Sequence, residues 1–174
     1  MMKSLICTTL AAGVLLAASP ASAQMVSPKP ASPKPVAVLN PEVSARAVLA
    51  SNGDVTPVFG AALVAYRLGS VYMGGAGYGG ARYGQLKGGM GYGGAIVGAA
   101  SDFGGPLLVD ARILVGGGGG AVGGNGMGSL ALEPSLAIGV ALPNDATVSL
   151  TGGYLYMPNA SEMSGLTAGL RYAF

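Results

Sequence analysis

The chain has 174 residues, 32 of them glycine; 51% are hydrophobic, only 9% are charged, and the formal net charge is +2. Soluble domains carry roughly a quarter of their residues as charges, so this composition excludes an ordinary water-soluble domain. It also offers no basic patch for nucleic acid.

The chain opens with Met1-Met2-Lys3, continues as an apolar run from Leu5 to Ala18, and reaches Ala21-Ser22-Ala23 before Gln24. A short basic start, an apolar stretch and a small-x-small site are the anatomy of a secretory signal peptide. Residues 1–23 are therefore expected to be removed, with Ala21 and Ala23 forming the cleavage site. The apolar run is shorter than the roughly 20 residues of a spanning helix. Cys7, the single cysteine, lies inside it. The processed chain would carry no thiol, which excludes disulfides and cysteine-bound metal.

Residues 24–42 differ in composition from the rest of the chain: Ser27-Pro28-Lys29-Pro30 recurs as Ser32-Pro33-Lys34-Pro35, and Pro41 comes after. Proline removes ladder donors and favours an extended chain. The segment reads as a semi-rigid Pro/Lys-rich linker ahead of a single domain over residues 43–174.

From Val43 onward, strand-like runs alternate with turn signals. The early runs cover about 43–51, 56–68, 71–82 and 89–100, with Asn52-Gly53-Asp54 and Leu68-Gly69-Ser70 among the connections. Asn-Gly is a strong hairpin signal. Tyr72, Tyr78, Tyr83 and Tyr92 stand among repeated glycines. An apolar ring with a polar tip suits a membrane interface, so these tyrosines are expected there, with glycine leaving room in a narrow lumen.

In the run from Pro106 to Val115, Leu107, Val109, Ala111, Ile113 and Val115 share one face, opposite Asp110 and Arg112. Gly116 to Met127 is nearly pure glycine and reads as a flexible external loop. No Gly-Lys-Ser/Thr comes after it, so it is not a phosphate loop.

Ser129 to Leu142 alternates most strictly, with Leu130, Leu132, Leu136, Ile138, Val140 and Leu142 on one face and Glu133 on the other. A period of two marks a strand. Pro134 interrupts its apolar face, and a bulge or local distortion is expected there. Pro143-Asn144-Asp145 makes a tight turn. Thr147 to Met157 then places Val148, Leu150, Tyr154 and Tyr156 together, residues 158–164 form a polar loop, and Leu166 to Phe174 form the last strand. In that strand Leu166, Ala168, Leu170, Tyr172 and Phe174 share one face, opposite Arg171.

This last strand, with its terminal aromatic and a second aromatic two residues before it, resembles the closing strand of bacterial outer-membrane β-barrels. Over residues 43–174 the chain is similar to small porin-like or opacity-type surface proteins. The resemblance implies an all-β fold, a transmembrane antiparallel up-and-down β-barrel of about eight strands. It implies that Leu170, Tyr172 and Phe174 form the barrel assembly signal, and that the protein resides in the cell outer membrane. The implied partners are outer-membrane lipid, the barrel assembly machinery and an extracellular ligand of unspecified kind. A β-barrel in lipid also reconciles the low charge with the high hydrophobicity, because its outer face must be apolar. The linker and the turns near Gly69, Ser101 and Pro143 would be periplasmic; the 116–127 and 158–164 loops would be external. The short external turn at Asn52 leaves residues 43–51 open between a first strand and the end of the linker.

The chain has no histidine. A Ser-His-Asp arrangement is therefore impossible, and Asp102, Asp110, Glu133, Asp145 and Glu162 are scattered. No enzyme, cofactor or metal site is expected. Asp110, Arg112, Glu133 and Arg171 all fall opposite the apolar faces of their strands and are expected to form a charge network in the lumen. Arg67 points inward too if Val58, Val64, Tyr66 and Leu68 face lipid. Arg112 and Glu133 are expected to pair diagonally across neighbouring strands. These features suggest a non-enzymatic membrane barrel with a structural or surface-interaction role. The alternatives are a secreted Gly/Tyr-rich self-assembling structural protein and a narrow solute or ion channel.

Overall fold

The computed structural model describes residues 36–174 apart from 83–87, 103, 104, 123, 124 and 144. The expected signal peptide with Ala21 and Ala23, the Pro-Lys repeats, Tyr83 and Asn144 lie outside the described residues.

Eight strands run in order: β1 Val36–Ala50, β2 Val55–Leu68, β3 Val71–Arg82, β4 Gly88–Asp102, β5 Leu107–Val122, β6 Asn125–Ala141, β7 Thr147–Leu155 and β8 Gly165–Ala173. Each pairs antiparallel with the next, and β1 pairs with β8 from Glu42↔Ala173 to Ala50↔Gly165, closing the barrel. The fold is thus an all-β, eight-stranded, up-and-down barrel. Closure removes the sheet edges that an open structure would expose.

Alternation sets two faces. Val43, Phe59, Met73, Ile138, Leu150 and Leu166 are among the side chains exposed on the outer wall, Leu150 at 66%. The opposite positions are buried in the lumen. Among the described strand side chains, none of those exposed on the outer wall between the rims is charged.

Several expectations need correction. β1 begins at Val36, so Val36–Glu42 belong to the barrel and not to the linker. Gly116 to Met127 is not a loop: Gly116–Val122 complete β5, Asn125–Met127 begin β6, and the ladder runs unbroken from Gly116↔Ala131 to Val122↔Asn125. Glycine places no side chain in the way of a ladder, and neighbouring strands hold these residues extended despite their weak intrinsic preference.

At Pro134 the expected local distortion is present, as a gap in the ladder and not as a bulge. Leu132 and Tyr156 exchange both backbone bonds, at 3.0 and 2.8 Å. The antiparallel alternation makes position 134 the next one to exchange bonds with β7, and proline has no N–H to give. Pairing resumes at Ser135↔Gly153 in the same register.

On β2 the faces are the reverse of those expected for two residues. Val58 and Val64 point into the lumen, at 0% and 7% exposure, while Phe59 and Leu63 face out. A bulge between Val64 and Tyr66 then switches the alternation, which leaves Tyr66 and Leu68 outside. Such an extra residue changes which side chains face in.

The connections need little chain. Gly69 (φ +60°) and Gly53 (φ +89°) take left-handed conformations that glycine accepts without strain. In the turn at Gly53, the Asp54 amide donates to Asn52 Oδ1 at 3.0 Å. The longest described connection, between β7 and β8, contains a single 3-10 turn at Ser161–Met163.

Candidate functional site

The lumen has two layers. Toward the end that carries Val36 and Phe174 it is charged; toward the opposite end it is apolar. The charged layer holds three arginines (Arg46, Arg112, Arg171) and three carboxylates (Glu42, Asp110, Glu133), all buried. Their formal charges cancel.

The pairs cross the barrel. Arg46 Nη1 lies 2.8 Å from Glu133 Oε1, and Arg112 Nη1 lies 2.7 Å from Glu42 Oε2. Arg171 Nη2 lies 2.9 Å from Asp110 Oδ2, and its Nη1 lies 3.8 Å from Glu42 Oε2. Neutral groups extend the network. The Tyr72 hydroxyl donates to Asp110 at 2.7 Å, and the Thr167 hydroxyl donates to Glu133 at 2.9 Å. The Tyr78 hydroxyl accepts from Arg46 at 2.9 Å and from Arg112 at 3.3 Å, linking the two halves. The Arg46 guanidinium also sits 4.3 Å from the centre of the Tyr78 ring, a favourable cation–π placement.

The four charges anticipated from the alternating pattern, Asp110, Arg112, Glu133 and Arg171, all face the lumen. Arg112 and Glu133 do not pair, however. Arg112 stands opposite Ser135, and Glu133 opposite Leu114, so the diagonal relation holds. Each nevertheless reaches across the lumen to β1, where Glu42 and Arg46 offer opposite charges at hydrogen-bonding distance. Those two β1 residues, with Tyr72, Tyr78 and Thr167, are the members the sequence did not reveal. Arg67 is exposed at the rim, lining a cavity of about 390 Å³ with Ser70, Ser101 and Asp102.

The tyrosines correct another expectation. Tyr72, Tyr78 and Tyr92 are buried in the lumen, not placed at interfaces. Each stands beside a glycine on the adjacent strand: Tyr72↔Gly98, Tyr78↔Gly60 and Tyr92↔Gly118. A Cβ on Gly98 would lie 2.5 Å from Tyr72 Cζ, and one on Gly118 would lie 2.6 Å from Tyr92 Cβ. Glycine therefore provides the volume the rings occupy. Tyr78 and Tyr92 pack with centroids 5.0 Å apart.

Beyond the tyrosines lies the apolar layer of Met90, Leu114, Leu155, Met157 and Met163, with Ala160 beside them. It fills the end of the lumen beneath the β7–β8 connection. Among the described residues, no group of three His, Cys, Asp or Glu side chains could hold a metal.

Leu170 and Phe174 lie on the outer wall at the charged end, and Tyr172 is half-buried. The Tyr172 and Phe174 rings meet edge to face at 4.9 Å. The Phe174 amide donates to the Pro41 carbonyl at 3.1 Å, tying it to β1.

The chain shares the fold of a small surface barrel. It matches the crystal structure of Neisserial surface protein A with a TM-score of 0.52 and 15% identity, over 78% of this chain and 92% of that one. No protein-family model matches the sequence, and no curated protein matches it significantly. At 15% identity the likeness is one of fold.

Proposed function

We propose that the protein is a non-enzymatic barrel of the bacterial outer membrane with a structural or surface-interaction role. The observation that carries this reading is the outer wall. Leucines, valines, isoleucines and phenylalanine stand exposed all around a closed barrel. So large an apolar surface is not stable in water, whereas lipid solvates it. The structural neighbour, Neisserial surface protein A, is by name a surface protein, which agrees with this reading.

Outer-membrane lipid and the barrel assembly machinery are the partners this reading requires, with Leu170, Tyr172 and Phe174 as the assembly signal. The absence of histidine from the sequence supports a non-enzymatic role. Mutually neutralised, buried charges and the apolar layer above them weigh against a conducting path. The incorporation of the glycine-rich segments into regular ladders weighs against a self-assembling matrix.

Membrane fractionation tests the proposal. The protein should sediment with outer membranes and resist extraction at alkaline pH. In planar bilayers it should add no steady conductance. Recovery in the soluble fraction would overturn the membrane assignment, and a regular conductance would favour the channel.

A further inference from the structure

We propose that the apolar end of the lumen is a binding site for a soft monovalent metal cation, Cu(I) or Ag(I), held by the thioethers of Met90, Met127, Met157 and Met163. The described part of the chain has five methionines. Met73 faces outward, and the other four converge on one place.

The register defines that place. Gly120 on β5 pairs with Met90 on β4 and with Met127 on β6, so these two methionines flank a position without a side chain. The Met163 methyl lies 2.8 Å from where a Cβ on Gly120 would stand. The Met157 methyl lies 2.9 Å from the corresponding point on Gly118, the next lumen-facing residue of β5. Met90, Met157 and Met163 are buried in one core cluster, and Met127, half-buried, packs against that cluster. The four side chains thus come from β4, β6 and the two ends of the β7–β8 connection. Ser164 holds that connection together. Its hydroxyl accepts from the Met157 amide at 2.8 Å and donates to the Met157 carbonyl at 3.3 Å.

Thioether sulfur is a soft, neutral donor that selects Cu(I) over hard cations. With no anionic ligand in the cluster, burying a divalent ion would cost far more than burying a monovalent one. Methionine is a flexible filler of core gaps, but four of them around one glycine-lined position also supply four soft donors, which leucine or valine would not. Valine, isoleucine and leucine do fill neighbouring positions, at Val48, Val58, Ile96, Leu114 and Leu155.

The test uses the full chain, folded in detergent and labelled with ¹³C at the methionine methyls. Silver(I), a diamagnetic stand-in for copper(I), is titrated in. The methyl resonances of Met90, Met127, Met157 and Met163 should shift together and saturate, while that of Met73 stays in place. The double variant Met157→Leu/Met163→Leu, close in volume, should abolish the shifts while keeping the folded gel mobility. If that variant does not fold, Met127→Leu at the partly buried edge should weaken binding in the folded protein. Unmoved methyls, or equal shifts at Met73, would overturn the proposal.

Discussion

Arg46 on β1 holds Glu133 on β6 at 2.8 Å, across the lumen and 87 positions along the chain. The two strands are not neighbours in the sheet. The contact therefore does what strand pairing cannot: it ties opposite walls of the barrel together through its interior. Both side chains are at most 2% exposed, so each depends on the other for most of its compensation.

Removing either charge should destabilise the barrel by about 3–5 kcal/mol, because the remaining partner is left buried and unpaired. Arg46→Met combined with Glu133→Gln should cost less than either single change to alanine. A double-mutant cycle on unfolding in detergent should give Arg46 and Glu133 a larger coupling energy than Arg112 and Glu133. The reverse order would mean that the cross-lumen pairing is wrong.

Tyr78→Phe should cost about 1–3 kcal/mol, because two buried guanidinium groups lose an acceptor at once. The ring remains, so its contacts with Arg46 and Tyr92 persist. A variant as stable as the parent would show that the hydroxyl does not bridge Arg46 and Arg112.

Gly118→Leu should weaken or prevent folding. A Cβ there would lie 2.6 Å from Tyr92 Cβ and 2.9 Å from the Met157 methyl, and overpacking of this kind costs about 1–3 kcal/mol or more. Thermal unfolding followed by circular dichroism measures the effect. An unchanged midpoint would mean that this stretch is a loop after all.

Much of this fold is legible because small and large apolar residues alternate cleanly in β6, β7 and β8. The signal fails where the alternation is silent. Gly116–Gly120 carry no side-chain pattern, so a ladder and a flexible loop look alike in sequence. Val58 and Val64 are apolar but face inward, and the bulge at Ala65 switches the alternation partway along β2. Glu42 and Arg46 escape notice for a different reason. Pro41 and the Pro-Lys repeats make the start of β1 look like linker, and a charge can be placed in a lumen only once its strand is known. The alternating pattern identifies four of the six charges, including the mutual partners Asp110 and Arg171. Glu42 and Arg46, the partners of Arg112 and Glu133, emerge only once β1 is placed.

Leu150→Arg places a guanidinium on the outer wall, where the native side chain is 66% exposed. Near the bilayer midplane it should cost about 2–4 kcal/mol. The yield of folded protein in liposomes should fall, while Leu150→Phe should leave it unchanged. Full tolerance of the arginine would mean that this wall does not face lipid.

The most direct test of a closed membrane barrel is gel mobility of the membrane fraction with and without boiling. The unboiled protein should migrate as a compact species, and boiling should shift it to the position of the unfolded chain. Identical mobility before and after boiling would contradict a closed barrel in the membrane.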